Sequence, residues 1–176
     1  MPFTLIHGII GYLVARSFSK DPKLLALGFT AGVLPDLDGL PLLWGNISLF
    51  QEWHHGILHS PFTGMVLGLI FVLILAYFFK SQKKEFPAKL AFAIFVLAFT
   101  AHPVTDIFSS DWEINFGFPF TEWNLSSTIL GIPDFPIAVN PFPLLIYTYN
   151  DLIISLATLF GFAGLVWKDR KKRKGL

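Results

Sequence analysis

Apolar and polar segments alternate along the chain, and five of the apolar segments are long enough to form helices. Pro61–Phe79 and Leu144–Trp167 are almost uncharged and match the ~20 residues that an α-helix needs to cross a bilayer. Leu90–Thr100 is a further apolar segment. Phe3–Phe18 and Leu24–Leu34 are shorter, and at ~1.5 Å per residue neither comfortably spans a ~30 Å core unless it is tilted, extended or sheltered. The pattern predicts an all-α, polytopic membrane protein with about five transmembrane or membrane-embedded helices.

Two of the connections between these helices are long. Residues 36–60 mix polar and aromatic positions with Gly and Pro, which is typical of a loop. Asp111–Pro143 is rich in Trp, Phe, Pro and Gly, has no clear period, and predicts a second loop. No internal repeat is visible, so residues 1–176 are predicted to form a single domain. Phe3–Phe18 lacks a basic n-region and a small-residue cleavage site, so we do not interpret it as a removable signal peptide.

The composition supports a membrane protein over a soluble protein with buried helices. Only 14% of the 176 residues are charged and 53% are hydrophobic, whereas a soluble domain is about 25% charged. The mean hydropathy is +0.60. There is no cysteine, which excludes disulfides and thiolate metal ligands.

The positions of the basic residues predict the orientation. All thirteen lie in three segments, which follow the first, third and fifth helices: Arg16, Lys20 and Lys23; Lys80, Lys83, Lys84 and Lys89; Lys168, Arg170, Lys171, Lys172, Arg173 and Lys174. With five crossings these segments share one side, which the positive-inside rule makes cytoplasmic. The amino terminus is then outside. The tail at residues 168–176 resembles a nucleic-acid patch, but we interpret it as a cytoplasmic topology signal with some attraction to anionic lipid.

The same arrangement places all five histidines on the outer side, together with eight of the twelve acids and no lysine or arginine. Carboxylates at a membrane edge are costly unless they are solvated, protonated or bound to cations. A bound metal ion would neutralise these carboxylates. The alternative is a solvated acidic rim, which we prefer for Glu52, Asp111, Glu122 and Asp134.

Three motifs carry the candidate ligands. His102 and Asp106 have i, i+4 spacing and share one face if the segment is helical, although a capping pair would look the same. Pro103 is tolerated in a first turn, so a short helix could begin here after a break. Asp36 and Asp38 lie between two prolines in a segment that is not expected to be a regular helix; they project similarly if it is extended, and a plain turn is the alternative.

The remaining histidines have weaker individual signals. His7 lies inside an apolar helix, where a hydrogen-bonded core histidine is the usual interpretation, yet an ionisable group within a membrane is a functional hypothesis by default. His54, His55 and His59 precede the third helix and offer an i, i+5 or an i, i+4 pair. Their common location on the outer side makes a shared site the stronger hypothesis.

The order of these motifs resembles that of a known family. The motifs are His7, Leu34-Pro-Asp-Leu-Asp38, His54-His-Gly-Ile-Leu-His-Ser60, His102-Pro-Val-Thr-Asp106 and Gly117-Phe-Pro-Phe-Thr121. They look like the YdjM-like family of inner-membrane proteins, which are described as metal-dependent hydrolases and as LexA-binding. That family is in turn distantly similar to the zinc-dependent phospholipase C and single-strand nuclease superfamily. The chain departs from the family's central motif, because His55 stands in place of an arginine and Leu58 in place of a threonine.

The resemblance implies a ligand set of one or two divalent ions, most simply Zn²⁺. Its members are His7, Asp36, His54, His59, His102 and Asp106. His55, at the arginine position, is implied to be a substrate-side group. Asp38 or Glu113 would act as a base or hold a second metal, and Thr105 or Ser60 would orient ligands.

The predicted function is therefore metal-assisted hydrolysis of a phosphoester or lipid at the outer face of the inner (plasma) membrane. Trp112, Phe118, Phe120 and Trp123 would cover the site, although an interfacial aromatic belt is the preferred interpretation of both tryptophans. The alternative is a metal-stabilised protein with a structural or regulatory role. A transporter would need more polar groups at mid-depth, and the acidic outer face argues against a nucleic-acid partner. The oligomeric state stays open.

Overall fold

The structure, a computed structural model, describes residues 4–46, 48–49, 56–109, 113–121, 123–126, 130, 136–139 and 146–173. The described part is mostly helical, as predicted. Its five α-helices are α1 (Thr4–Phe18), α2 (Pro22–Val33), α3 (Pro61–Ser81), α4 (Ala88–Ser109) and α5 (Tyr149–Arg173).

Local sequence signals explain where two of these helices begin. The Asp21 side chain accepts a hydrogen bond from the backbone N–H of Lys23 at the start of α2. The Ser60 hydroxyl does the same for Phe62 at the start of α3. In both helices a proline occupies the first turn, where its missing N–H costs nothing.

The segment after α2 differs in part from the prediction. It continues as a 3₁₀ helix, Leu34–Trp44, and a second 3₁₀ turn, Ile57–His59, precedes α3. The expectation that this segment is not a regular α-helix is confirmed, whereas the predicted loop begins as a 3₁₀ helix and Asp36 and Asp38 do not lie on extended chain. Tighter 3₁₀ turns accommodate the prolines because each residue bonds only three positions away and short runs tolerate missing donors.

The break that Pro103 allowed in the fourth helix is not present. Helix α4 runs without interruption through Pro103, which is buried. Packing around this turn compensates for the backbone hydrogen bond that proline removes. The continuous helix keeps His102 and Asp106 on one face.

Two small hairpins lie in a region for which no strand was predicted. Strand β1 (Ile114–Asn115) pairs antiparallel with β2 (Asn124–Leu125). Strand β3 (Pro136–Val139) pairs antiparallel with β4 (Ile146–Thr148). The predicted all-α fold class therefore has to be extended by these two hairpins. They were not predicted because strands of two to four residues are too short to show a sequence period.

Helix α4 forms the centre of the core. Its residues Phe95 and Phe99 are fully buried, and their rings approach the backbone of α3 where Gly68 and Gly64 carry no side chain. Helices α1 and α2 approach each other still more closely. A Cβ on Gly11 would meet the carbonyl oxygen of Gly28. Close backbone approach at small residues is the usual way in which membrane helices pack.

Among the described residues, three helices are long and apolar enough to cross a membrane: Pro61–Ser81, Ala88–Phe108 and Asn150–Lys171. The outward faces of α3 and α5 are apolar, and Tyr77 and Phe160 are 78% and 73% exposed. Such faces suit a lipid environment. Helices α1 and α2 are shorter, as predicted, and pack against α4.

The basic segments meet at one end of the bundle. Arg16 Nη2, near the end of α1, lies 2.7 Å from Asp169 Oδ2, near the end of α5. The Lys23 ammonium, at the start of α2, lies 4.6 Å from the centre of the Phe79 ring, near the end of α3. The first turns of α1 and α3 and the last turns of α2 and α4 therefore lie at the opposite end.

We expect Gly11→Ala to lower the stability of the α1–α2 contact by about 1–3 kcal/mol, because the new methyl overlaps the Gly28 carbonyl oxygen. The matched control is Gly161→Ala on α5, whose added methyl meets no atom within 4 Å among the described residues. Thermal unfolding in detergent measures both. Equal melting temperatures for the two variants would contradict the close approach.

Candidate metal centre

Four chain segments bring histidines and aspartates together at the end of the bundle opposite the basic segments. His7 lies in the first turns of α1, and Asp36 and Asp38 lie in the 3₁₀ helix after α2. His59 is the last residue of the 3₁₀ turn before α3. His102 and Asp106 lie near the end of α4. All of these side chains are buried except that of Asp36, which is partly exposed.

Asp106 stands at the centre of the cluster. Its Oδ1 lies 3.2 Å from His7 Nε2. Its Oδ2 lies 3.1 Å from His102 Nε2 and 3.6 Å from His59 Nε2. Three imidazoles from three parts of the chain thus present the same ring nitrogen to one fully buried carboxylate.

The other ring nitrogen of each histidine is already engaged. His102 Nδ1 lies 2.6 Å from the carbonyl oxygen of Gly32, which only accepts, so this nitrogen carries a proton. His59 Nδ1 lies 2.9 Å from Asp38 Oδ2, a contact that becomes an ion pair when the ring is protonated. Such contacts fix the ring orientation and the tautomer of metal-binding histidines.

Thr105 sets the tautomer of His7 by a similar route. The Thr105 hydroxyl donates its single proton to the carbonyl oxygen of His102, at 2.7 Å. Its oxygen is then available to accept from His7 Nδ1, at 3.1 Å. In the neutral ring the proton therefore sits on Nδ1, and His7 Nε2 presents its lone pair to Asp106.

Lone pairs facing carboxylate oxygens repel unless a proton or a cation lies between them. Within the described residues, His7 Nε2, His102 Nε2 and both oxygens of Asp106 are buried without a hydrogen-bond partner of good geometry. Leaving such groups unsatisfied is costly. A cation that accepts all these lone pairs removes the cost.

The spacing of neighbouring ligand atoms fits the binding of cations between them. Ligand atoms ~2.0–2.1 Å from one tetrahedral ion stand roughly 3.3 Å apart. The distances from His7 Nε2 and His102 Nε2 to Asp106 are 3.2 and 3.1 Å, and His102 Nε2 lies 3.3 Å from Asp36 Oδ1. Direct charge-assisted hydrogen bonds are shorter, at about 2.7–2.9 Å.

Two overlapping sets of side chains have ligand atoms within 4.8 Å of one another: His7, Asp36 and His102; and His59, His102 and Asp106. Imidazole with carboxylate suits Zn²⁺ or a similar divalent ion. The residues present therefore fit a metal centre, and the sets contain five of the six predicted ligands.

The neighbouring charges lower the pKa of Asp36 and raise the pKa of His59. Burial would raise the pKa of Asp36, but the hydrogen bond and charge of His102 outweigh it and hold this pKa below its usual range. Burial would lower the pKa of His59, but hydrogen bonds to Asp106 and Asp38 raise it above its usual range. Asp36 therefore stays a carboxylate, and His59 holds a proton that a metal must displace.

The β1–β2 hairpin is attached close to this cluster. Ser60, which follows His59, donates from its hydroxyl to the Phe118 carbonyl oxygen at 2.7 Å. The Phe62 and Phe120 rings meet edge to face with their centres 5.1 Å apart. Ser60 thus anchors the hairpin to the start of α3 and does not contact a candidate ligand through its hydroxyl.

Two of the predicted catalytic residues contact other side chains in the structure. Asp38 Oδ2 lies 2.9 Å from His59 Nδ1, and a direct role of Asp38 in catalysis stays a prediction. Glu113 is exposed, accepts a hydrogen bond from Asn124 Nδ2 at 3.0 Å across the hairpin, and belongs to neither ligand set. Its role as a base or second-metal ligand stays a prediction. His54, His55 and Trp112 lie outside the described residues, and their roles stay predictions.

One functional group could not have been found from the sequence. The Gly32 carbonyl orients His102, but a backbone oxygen carries no residue-type signal. Thr105 was a candidate because it lies three residues from His102, and the structure places its hydroxyl against His7.

Comparison with known proteins gives one match. The family model for the YdjM inner membrane protein matches residues 1–173, and the chain therefore belongs to this family. Searches of curated proteins and of solved structures found no match.

We expect Thr105→Val to weaken divalent-metal binding by about 10–100-fold, because His7 loses the acceptor that fixes its ring. Thr105→Ser keeps the hydroxyl and should bind like the parent. Competition with a chromogenic chelator in detergent gives the affinity. If valine and serine variants bind equally, the hydroxyl does not orient His7.

Acidification should release the metal, with loss beginning above the ordinary histidine pKa of ~6.5. The reason is that the metal-free protein holds a proton on His59 with a raised pKa, so protons compete for this ligand at higher pH. Metal retention after dialysis at graded pH measures the effect. Asp38→Asn removes one cause of the raised pKa and should move the loss to lower pH, and a shift to higher pH would contradict this account.

Proposed function

We propose that this member of the YdjM inner membrane protein family is a metal-dependent hydrolase that acts on a phosphoester or lipid at the outer edge of the membrane. The observation that carries the proposal is the convergence of three imidazole Nε2 atoms on the buried Asp106 carboxylate. An ion-pair cluster that served stability alone would not need three rings that all present Nε2 to the same carboxylate.

The number of ligands favours catalysis over a purely structural metal. Each of the two ligand sets contains three protein side chains. Structural zinc sites are normally closed by four protein ligands, whereas catalytic sites keep a position for water or substrate. The partly exposed Asp36 marks the side from which that position is reached.

A divalent ion in such a site polarises a phosphoryl or acyl oxygen and lowers the pKa of a water ligand toward ~7. The protein's own residues supply the rest. His7, His59, His102, Asp106 and Asp36 hold the ion, while Thr105, Asp38 and the Gly32 carbonyl fix the three rings. His55 at the family's arginine position remains our candidate for contact with the substrate.

The substrate class follows from the location of the cluster. His102 and Asp106 lie in the last turns of a helix that is long enough to cross a membrane, so the centre stands at the edge of the apolar layer. An amphiphilic substrate reaches this depth without leaving the bilayer. Exposed Phe120 and Trp123 on the β1–β2 hairpin are suited to the interface beside it.

Five passages, including the short helices α1 and α2, complete the proposed topology. The contact of Arg16 with Asp169 and that of Lys23 with Phe79 support a common side for the basic segments. By the positive-inside rule that side is cytoplasmic, and the metal centre and the amino terminus are extracytoplasmic.

A structural or regulatory metal site is the second candidate. The observation that favours it is the depth of burial, because His59 and Asp106 are fully buried and His7 and His102 are 1% exposed. In that case the ion would fasten α1, α2 and α4 together without turnover.

Metal content and turnover of the detergent-solubilised protein separate these candidates. We expect the parent to hold divalent metal and to cleave a phosphoester or phospholipid, and His102→Ala to lose both. Asp169→Asn, which removes a carboxylate at the far end of the bundle, should keep both. Metal without turnover on a broad lipid and phosphoester panel would support the structural role, and equal metal content in His102→Ala would refute the site.

Reporter fusions test the proposed topology. A cytoplasm-dependent fluorescent reporter after residue 176 should be active, and one placed in the connection between β2 and β3 should not. The reversed pattern would overturn the orientation.

A further inference from the structure

The two ligand sets overlap at His102, and this residue cannot serve both. One of its ring nitrogens donates to the Gly32 carbonyl oxygen at 2.6 Å. Only Nε2 carries a free lone pair, and an imidazole nitrogen binds one metal ion at a time. If both sets are filled together, the set with His7 and Asp36 needs another third ligand.

Asp106 offers that ligand, because its two oxygens face different histidines. Oδ1 lies 3.2 Å from His7 Nε2, and Oδ2 lies 3.1 Å from His102 Nε2. His59 Nε2 also approaches on the Oδ2 side, at 3.6 Å. The carboxylate thus divides the cluster into an Oδ1 half and an Oδ2 half.

The two histidines that face Asp106 are also stacked. The His7 and His102 rings lie 3.7 Å apart at their centres with an angle of 18° between their planes. Stacked rings that point at the same carboxylate hold their Nε2 lone pairs side by side. Two imidazoles on a single tetrahedral ion would instead converge at about 109°.

The ring separation matches a pair of ions. Metal ions that share a bridging ligand in two-metal hydrolytic sites stand about 3.5–4 Å apart. Ions placed along the two stacked lone-pair directions would have a similar separation, and one carboxylate reaches both.

We propose that the centre holds two divalent cations bridged by Asp106. The first is bound by His7 Nε2, Asp36 and Asp106 Oδ1, and the second by His59 Nε2, His102 Nε2 and Asp106 Oδ2. This inference rests on the proposed metal centre and adds the number of ions that the centre holds. A two-ion centre suits displacement at phosphorus, since one ion faces the attacking oxygen and the other the leaving oxygen.

The parent protein tests the inference without any substitution. Chelator-treated protein in detergent is titrated with Mn²⁺ and followed by elemental analysis and electron paramagnetic resonance. We expect two equivalents and a spin-coupled signal from neighbouring ions. One equivalent with an isolated-ion signal overturns the two-ion centre and leaves the metal site standing. No binding of Mn²⁺ or Zn²⁺ overturns the metal site and the inference with it.

Single substitutions test which histidines bind each of the two ions. His7→Ala and His59→Ala should each retain one equivalent and lose the coupled signal, because each variant disables one half only. The matched control Asp169→Asn should retain two coupled ions. Loss of all metal in both histidine variants, with monodisperse elution and parent-like helix content, would indicate a single ion shared by all ligands. The titration of the parent decides the question even where a variant does not fold.

Discussion

The buried Asp106 carboxylate imposes the constraint on which the rest of the structure depends. A carboxylate that is fully removed from water must be compensated, and three imidazoles surround it. Because their Nδ1 atoms are engaged elsewhere, these rings in their neutral form offer lone pairs to it and no protons. The cluster is therefore stable only with added positive charge, which bound protons or a divalent cation would supply.

The packing of the helices serves this arrangement. A Cβ on Gly32 would meet the backbone carbonyl of His7, so the glycine permits α1 and α2 to approach at the level of the cluster. The carbonyl oxygen of the same glycine receives the Nδ1 proton of His102 on α4. Gly32 thus fixes both the position of His7 relative to α2 and the orientation of the His102 ring.

Sequence reasoning predicted much of this architecture, and its failures have physical causes. Apolar length and charge position predicted the helices, and the i, i+4 spacing placed His102 beside Asp106. The prolines around Asp36 excluded a regular α-helix but did not distinguish a 3₁₀ helix from a loop or a turn. The hydrogen bond between Asn124 and Glu113 was not predicted, because the hairpin that brings them together is too short to have a sequence period. The tautomers depend on contacts between distant segments, which no local pattern encodes.

X-ray absorption at the metal edge of the purified parent protein tests the central claim most directly. The account predicts stoichiometric divalent metal with nitrogen and oxygen ligands at about 2.0–2.1 Å for Zn²⁺ and the outer-shell scattering of imidazole rings. A protein that purifies and remains without metal when Zn²⁺ is supplied would contradict it, because the histidines around Asp106 would then be charged by protons alone.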